Sequence, residues 1–213
     1  MKLLLTSNGI CNESLKKTLK ELVGKEEIRT AFIPTAANQI GDDKDWLIKN
    51  LYEFHQLGYT DIIDIAVLDM KLCLERIKKC NVICVGGGDT TYLIEKMRES
   101  GFDKELNELL KTRVYVGISA GSIVTCKSLW GSSEYVYDKI SSSVPKGLGF
   151  VDFNFIPHLN SEDFPKVKFQ NFEKISKENP GEEIYVCDNE SGLKIEDGEI
   201  EIISEGETYY FLN

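Results

Sequence analysis

One serine stands in a setting that is typical of a catalytic nucleophile. At residues 114–122 an apolar run leads directly into the motif GISAG, centred on Ser119, and a helical pattern begins immediately afterwards. This strand–turn–helix arrangement is the nucleophile elbow, in which glycines let the backbone pass close to neighbouring strands and the hydroxyl is exposed at the carboxyl end of the sheet. The N-terminus of the following helix favours negative charge on a substrate oxygen. The alternative is a tight turn whose serine caps a helix.

A glycine-rich turn follows a second apolar run, with the sequence GGGDT at residues 86–90. Consecutive glycines let backbone N–H groups point into a cleft, so we expect the amides of Gly88 and Ala120 to form an oxyanion hole. The other residues of this turn are expected to contact the substrate: Gly87, Asp89 and Thr90. A phosphate cradle is the competing interpretation, although the turn has neither the glycine spacing of a dinucleotide site nor the lysine of a P-loop. A plain turn with Asp89 or Thr90 as helix N-cap is the third.

A histidine that follows an apolar run and a proline is the candidate general base. His158 comes directly after residues 153–157, FNFIP, and so stands at the end of a predicted strand, where catalytic groups gather in open α/β sheets. A serine nucleophile needs a base whose pKa is near neutrality. The other histidine, His55, lies inside a helical pattern well before the elbow. We therefore predict that His158 is the base, with a purely structural histidine as the alternative.

Three acidic residues are candidates for the side chain that orients the imidazole. Glu190 follows an apolar run and precedes a glycine turn, and it is our first candidate for the triad acid. Glu134 and Asp138 lie between the serine and the histidine, in the serine–acid–histidine order of many hydrolases. Their surroundings, residues 128–149, are rich in Ser, Gly and aromatic residues and predict a surface loop or short hairpin, which is a less rigid support. A solvated surface carboxylate is the alternative for each of the three.

Apolar runs and amphipathic stretches alternate along most of the chain. The runs predict strands buried on both faces at 3–6, 28–33, 61–65, 82–85 and 114–118. The stretches between them predict helices at 13–23, 44–57, 70–79, 91–99 and 104–111. This order predicts an α/β fold with a doubly wound, mostly parallel sheet. The last quarter predicts antiparallel strands that complete this sheet, at 183–187, 192–195, 199–203 and 208–212, within one domain over residues 1–213.

Composition and charge exclude several classes of function. A net charge of −10 argues against nucleic-acid partners, which require clustered Lys and Arg. No stretch approaches the roughly 20 apolar residues of a membrane helix, and the apolar run at 3–5 is too short for a secretion signal. Six scattered cysteines without CxxC pairs favour the reducing cytoplasm. With only two histidines, we expect neither a metal nor a cofactor. A homodimer is compatible with a small hydrolase of this architecture.

These motifs together resemble the peptidase E and cyanophycinase-like serine peptidases. The resemblance is carried by GGGDT at 86–90, GISAGS at 117–122, Pro-His at 157–158, SNG at 7–9 and IPTA at 33–36. It implies a three-layer flavodoxin-like fold related to class I glutamine amidotransferases, and a metal-independent Ser–His–acid mechanism that cleaves short peptides. By the same resemblance Ser119 is the nucleophile, His158 the base and Glu190 the acid, with an equivalent claim for an acid at 134–138.

One stretch departs from the pattern of that family. Members that favour an N-terminal aspartate hold its carboxylate with a basic residue downstream of the histidine, but residues 159–170 read LNSEDFPKVKFQ, without arginine. Lys166 or Lys168 would have to take this role, and lysine lacks the bidentate fork of arginine. We therefore expect a dipeptidase-like serine peptidase, but the sequence does not predict a preference for an N-terminal aspartate. The alternatives are an esterase or amidase acting on another small substrate, and a non-catalytic module that binds phosphate or a nucleotide.

Overall fold

The structure, a computed structural model, describes residues 1–132, 136, 144–179 and 181–212. Its strands are β1 (Lys2–Thr6), β2 (Ile28–Ile33), β3 (Gly58–Ile62), β4 (Val82–Val85), β5 (Val114–Ile118), β6 (Asn154–Ile156), β7 (Ile184–Cys187), β8 (Ser191–Glu196), β9 (Glu199–Ser204) and β10 (Thr208–Phe211). Its helices are α1 (Glu13–Val23), α2 (Asp45–Leu57), α3 (Met70–Ile77), α4 (Thr90–Ser100), α5 (Phe102–Leu109), α6 (Ala120–Ile123) and α7 (Phe169–Glu178). Two 3-10 turns span Thr35–Gln39 and Leu129–Gly131.

A seven-stranded sheet forms the centre of the molecule, in the order β3-β2-β4-β5-β1-β8-β9. The first five strands of this order are parallel, and β8 and β9 add to the edge in antiparallel fashion. Successive residues of a strand face opposite sides of the sheet: Leu3 and Leu5 pack into one core, and Leu4 into the other. Helices cover both faces, which confirms the three-layer α/β fold expected from the sequence.

Helix α1 shows how the local sequence builds one of these layers. Asn12 is its N-cap, and the Asn12 side chain accepts a hydrogen bond from the Leu15 amide at 3.0 Å. Leu15, Leu19 and Leu22 recur at helical spacing and are buried. Each buried leucine contributes on the order of 2 kcal/mol of transfer free energy. Gly24, at φ 84°, ends the helix in a conformation that favours glycine.

The predicted strand at 61–65 is wrong by three residues, because β3 spans Gly58–Ile62. It is the edge strand of the sheet, and Ile62 is exposed, whereas Ile63 and Ile65 are buried after the strand has ended. The apolar run therefore marks where the chain turns into the core rather than where it pairs with β2. Periodicity alone does not distinguish these two kinds of burial.

The C-terminal strands only partly complete the main sheet. The hairpin β8–β9 joins it as expected, and its turn at Asp197-Gly198 has positive φ at both residues, 50° and 89°. However, β7 and β10 belong to a second, three-stranded sheet of order β10-β7-β6, in which β6 runs parallel to β7. The expectation of one continuous extension is corrected, because β7 pairs with the short β6 strand that precedes His158. Of the predicted loop at 128–149, residues 133–135 and 137–143 lie outside the described residues.

The sequence also predicted reduced cysteines and no membrane-spanning helix. All six cysteines are free thiols, five of them buried and Cys11 half-buried. Burial raises the pKa of Cys11, Cys126 and Cys187 to about 12, so these thiols stay protonated near neutral pH. Among the helices of the described part of the chain, none has both the length and the apolarity needed to cross a bilayer.

Candidate active site

Ser119 occupies a sharp turn between β5 and α6. Its backbone has φ 49° and ψ −108°, a region that L-residues rarely adopt. The turn is held by the Ser119 amide, which donates to the Thr6 carbonyl at 2.9 Å, and by the Ser119 carbonyl, which accepts from the Ile123 amide at 3.0 Å. The side chain makes no capping hydrogen bond, so the structure does not support a serine that merely caps a helix.

The glycines on either side of Ser119 are required by close backbone contacts. A Cβ atom at Gly121 would lie 2.0 Å from the Val85 carbonyl oxygen, and one at Gly117 would lie 2.7 Å from the Ser122 Cα. Real Cβ atoms essentially never show such distances, so glycine at 121 lets the turn pack against β4, and glycine at 117 lets the chain double back on Ser122. The elbow inferred from the GISAG motif is therefore present in the structure.

The helix that follows Ser119, α6, is a single turn. It consists of the four residues Ala120–Ile123. Because a macrodipole grows by the alignment of many peptide units, a single turn contributes little of it. A long helix dipole behind Ser119, as the sequence suggested, is therefore absent from this turn.

His158 is the side chain that meets the serine. Its Nε2 atom lies 2.9 Å from the Ser119 Oγ atom. The residue follows β6 and Pro157, has φ 68°, and its amide donates to the Ser7 hydroxyl at 3.3 Å. Burial lowers the pKa of the His158 imidazole, partly offset by the hydrogen bond to Asn189 and by the nearby charge of Asp163. The ring is therefore neutral at pH 7 and able to accept a proton.

Asn189, and not Glu190, meets the other ring nitrogen. The Asn189 Oδ1 atom lies 2.7 Å from His158 Nδ1. An amide oxygen only accepts hydrogen bonds, so Nδ1 carries the proton and the Nε2 lone pair faces Ser119. The exposed carboxylate of Glu190 instead accepts from Asn12 Nδ2 at 3.3 Å. Glu190 as the orienting residue is thus corrected to its neighbour, because the turn directs only one of the two side chains at the ring.

The turn that presents Asn189 is organised by Asp188. One oxygen of its carboxylate accepts from the Glu190 amide at 2.9 Å and from the Ser191 hydroxyl at 2.5 Å, and the other accepts from the Glu207 amide at 2.6 Å. Neither Asp188 nor Asn189 was predicted from the sequence, because the expected partner of His158 was a carboxylate at position 190, 134 or 138. An Asp-Asn pair directly after a buried strand was the available signal, because both residue types form such turns. The other two candidate acids, Glu134 and Asp138, lie outside the described residues.

The Ser119–His158 pair lies in a cleft of about 740 Å³. All four residues of the glycine-rich turn that were expected there line it: Gly87, Gly88, Asp89 and Thr90. Asp89 is also the N-cap of α4, since its side chain accepts from the Tyr92 amide at 2.7 Å. A side chain at position 87 would begin 3.3 Å from the Ser119 Cβ atom, so glycine there keeps the space beside the hydroxyl open.

Gly88 and Ala120, whose amides are expected to form an oxyanion hole, are placed differently: Gly88 lines the cleft, and Ala120 directly follows Ser119 in the chain. Gly88 has φ 132°, and a Cβ atom there would lie 2.3 Å from the Ala36 carbonyl oxygen, so only glycine fits. The Asp89 amide donates to the same carbonyl at 3.0 Å, which fixes the turn against the 3-10 turn after β2. Ala120 directly follows the nucleophile and is buried. Within the described part of the chain, no hydrogen bond uses the Gly88 or Ala120 amide.

Comparison with known proteins identifies the family. The model of peptidase family S51 matches residues 3–203. The chain belongs to peptidase family S51. Peptidase E of Nostoc sp. is 31% identical to this S51 member over 221 residues, which cover 98% of this chain and 87% of that protein. An uncharacterized peptidase of Bacillus subtilis is 31% identical over 157 residues, 71% of this chain and 63% of the relative. The resemblance to peptidase E drawn from the motifs is confirmed.

Two solved structures share the fold of this S51 member. A putative peptidase E protein from Listeria monocytogenes EGD-e superposes with a TM-score of 0.76 at 23% identity, over 96% of this chain and 98% of that one. A peptidase from an acI-B1 Actinobacterium gives a TM-score of 0.69 at 20% identity, over 99% and 93%. At these identities the likeness confirms the flavodoxin-like α/β architecture.

The charged groups that line the cleft of the S51 member differ from those expected. Neither Lys166 nor Lys168 lines it; Lys168 precedes α7 as its N-cap residue. The cleft is instead lined by Lys49 of α2 and by three carboxylates that the sequence did not single out: Asp42, Asp43 and Asp163. These groups come from helix and loop positions whose convergence depends on the tertiary fold.

His55 lies on α2, is exposed, and does not line the cleft. Within residues 1–132, 136, 144–179 and 181–212, no group of three or more His, Cys, Asp or Glu side chains is arranged to hold a metal ion.

Proposed function

We propose that this S51 family member is a serine peptidase that cleaves short peptides through an acyl-enzyme. The observation that supports this function most directly is the contact of 2.9 Å between Ser119 Oγ and His158 Nε2 at the base of an open cleft. A hydroxyl becomes a competent nucleophile when an adjacent neutral imidazole takes its proton. The membership of a peptidase family supports an amide rather than another acyl substrate.

In the first half-reaction Ser119 attacks the scissile carbonyl carbon. As the bond between Oγ and that carbon forms, the hydroxyl proton moves to His158 Nε2, and the carbonyl electrons move to the oxygen. The amides of Gly88 and Ala120 are proposed to donate to this oxyanion, a contribution of about 3–4 kcal/mol per donor in other hydrolases. The C–N bond then breaks, and His158 returns the proton to the leaving amine.

In the second half-reaction water replaces the amine. His158 accepts a proton from water, the hydroxide attacks the acyl-enzyme, and Ser119 leaves with the proton from Nε2. Throughout, Asn189 accepts the hydrogen bond of Nδ1–H and so keeps Nε2 directed at the serine. Unlike a carboxylate, a neutral amide does not offset the charge of the imidazolium. The negative charge of Asp163, which raises the pKa of the ring, supplies part of that role from a distance.

The test of this function is covalent labelling by a fluorophosphonate probe. We expect the purified chain to be labelled at Ser119 alone, and Ser119→Ala to abolish labelling while the circular dichroism spectrum is unchanged. Ser161→Ala is the matched control, because Ser161 is near the site in sequence but does not line the cleft. Equal labelling of the Ser119→Ala variant would refute the proposal. A purified protein that carries phosphate or a nucleotide and resists the probe would favour the binding-module alternative.

The substrate class is tested separately, on a panel of dipeptides and p-nitrophenyl esters. We propose that dipeptides are hydrolysed, since a leaving amine requires protonation and His158 is placed to supply it, whereas p-nitrophenolate leaves without a proton. Turnover of the esters alone would favour the esterase alternative. The free and mostly buried cysteines fit a reducing compartment, and we propose the cytoplasm as the site of action.

A further inference from the structure

The loop that follows His158 folds back over the imidazole. His158 and Asn160 both have positive φ, 68° and 59°, which reverses the chain direction immediately after β6. The Asn160 amide donates to the Val167 carbonyl at 2.8 Å, and the Val167 amide donates to the Phe164 carbonyl at 2.9 Å, so the loop is closed at its base. Positive φ at residues other than glycine is unfavourable and persists only where surrounding contacts enforce it. The loop is therefore a defined structure that places Phe164.

Phe164 lies flat on the imidazole ring of His158. The two ring centroids are 4.2 Å apart and the ring planes differ by 5°. Phe164 also lines the cleft and keeps 36% of its surface exposed. The edges of the same imidazole are occupied by Ser119 and Asn189. Phe164 thus contacts a part of the ring that neither hydrogen bond uses.

We propose that Phe164 is a positioning residue, which sets the tilt of the His158 ring toward Ser119 and shields it from water. The inference rests on the proposed function, because it concerns the base of that site. Two hydrogen bonds at Nδ1 and Nε2 fix the line through these nitrogens but leave the ring free to tilt about it. A flat aromatic surface against one face of the ring removes that freedom. The need is greater here because a neutral amide holds Nδ1 less firmly than a carboxylate would.

Two groups of this loop act on the imidazole in opposite directions. Burial, to which Phe164 contributes, lowers the pKa of His158, and the charge of Asp163 raises it. The other side chains that contact the ring, Ser119 and Asn189, are uncharged, as is Ser7, which accepts from the backbone amide of His158. Removal of the Phe164 ring should therefore raise the pKa of His158, and Asp163→Asn should lower it.

The experiment compares Phe164→Tyr, Phe164→Leu and Phe164→Ala in the full chain. Tyr keeps the flat ring, Leu keeps apolar cover without it, and Ala loses both. We measure the second-order rate constant of fluorophosphonate labelling against pH, and the pKa of His158 by NMR titration in a His55→Gln background, which leaves a single histidine. Because Phe164 is partly exposed, we expect thermal unfolding to show that all three variants are folded.

The three variants distinguish the effect of Phe164 on the tilt of the His158 ring from its shielding of that ring from water. Phe164→Tyr should label within about twofold of the parent, and Phe164→Leu and Phe164→Ala about tenfold more slowly at their pH optimum, as misorientation of a catalytic group predicts. The NMR pKa of His158 should rise in Phe164→Ala and change less in Phe164→Leu. Labelling of Phe164→Ala at the parental rate with an unchanged pKa would overturn the inference. A parent that the probe does not label overturns the proposed function instead, and the NMR titration then decides whether Phe164 shields the ring.

Discussion

The side-chain oxygen of Asn189 lies 2.7 Å from Nδ1 of His158, where many serine hydrolases have a carboxylate. The Asn189 amide can fix the tautomer and the orientation of the imidazole, as the carboxylate of a triad does. In the proposed mechanism, this amide cannot offset the positive charge that the ring would acquire on taking the serine proton. Burial lowers the pKa of His158 and the charge of Asp163 raises it, and both effects have measurable consequences.

Asn189→Asp should move the acid limb of the labelling profile to higher pH. The added negative charge raises the pKa of His158, so a larger fraction of the base is protonated and inactive under mildly acidic conditions. Asn189→Leu removes the acceptor, and we expect its labelling to slow by at least about tenfold at every pH. Glu190→Gln is the control, and we expect it to label at the parental rate. A slower Glu190→Gln with an unaffected Asn189→Leu would show that Glu190 orients the ring after all.

The free energy of unfolding should rise with pH through the titration of His158. The pKa of His158 is lowered in the folded state, so between that value and the usual 6.5 the unfolded chain binds more protons than the folded one. This contribution to stability is fully present above about pH 6.5 and is lost as the pH falls through the folded-state pKa. Urea denaturation of the parent and of His158→Gln between about pH 5 and 8 measures it. Parallel curves for the two proteins would contradict the depressed pKa.

Gly121→Ala should destabilise the fold, because its Cβ atom would be placed 2.0 Å from the Val85 carbonyl oxygen. Forced repacking of this kind costs about 1–3 kcal/mol or more. Gly41→Ala is the matched control, since no atom lies within 4 Å of a Cβ atom built there. Chemical denaturation of both variants measures the difference. Equal stability of the two would mean that the turn after β5 is looser than the structure shows.

Lys49→Ala should weaken binding of peptides that carry a free carboxylate. Lys49 lines the cleft among carboxylates, whereas Lys168 does not line it. An exposed ion pair is worth about 0.2–1 kcal/mol, so we expect KM for a peptide acid to rise by about 1.4- to 5-fold, with little change for the corresponding peptide amide. Lys168→Ala should leave both KM values at the parental level. A larger effect of Lys168→Ala would restore the interpretation drawn from the sequence.

Much of the fold could be predicted from the sequence, because the patterns that mark its helices and strands depend only on residues close together in the chain. Helix α1 was predicted over its full observed length, and β2, β4 and β5 have the expected bounds. Caps, glycines and the period of buried residues depend on neighbours within a few positions, and these patterns remain visible without tertiary contacts. At β3 the error lay in the bounds of the strand, and at β7 the apolar run indicated burial correctly but not the sheet to which the strand belongs.

The sequence by itself determined the elbow around Ser119, the glycine turn at 86–90 and the strand that ends just before Pro157, because each is a short motif whose glycines or apolar residues satisfy a local backbone requirement. Only the tertiary structure decided which side chains surround the His158 imidazole. The Asn189 side chain arrives on a turn shaped by the Asp188 carboxylate, and Phe164 arrives on a loop closed by backbone hydrogen bonds. The contact between Asp188 and the Glu207 amide joins residues 19 positions apart, so the shape of that turn depends partly on a segment that the local sequence does not include.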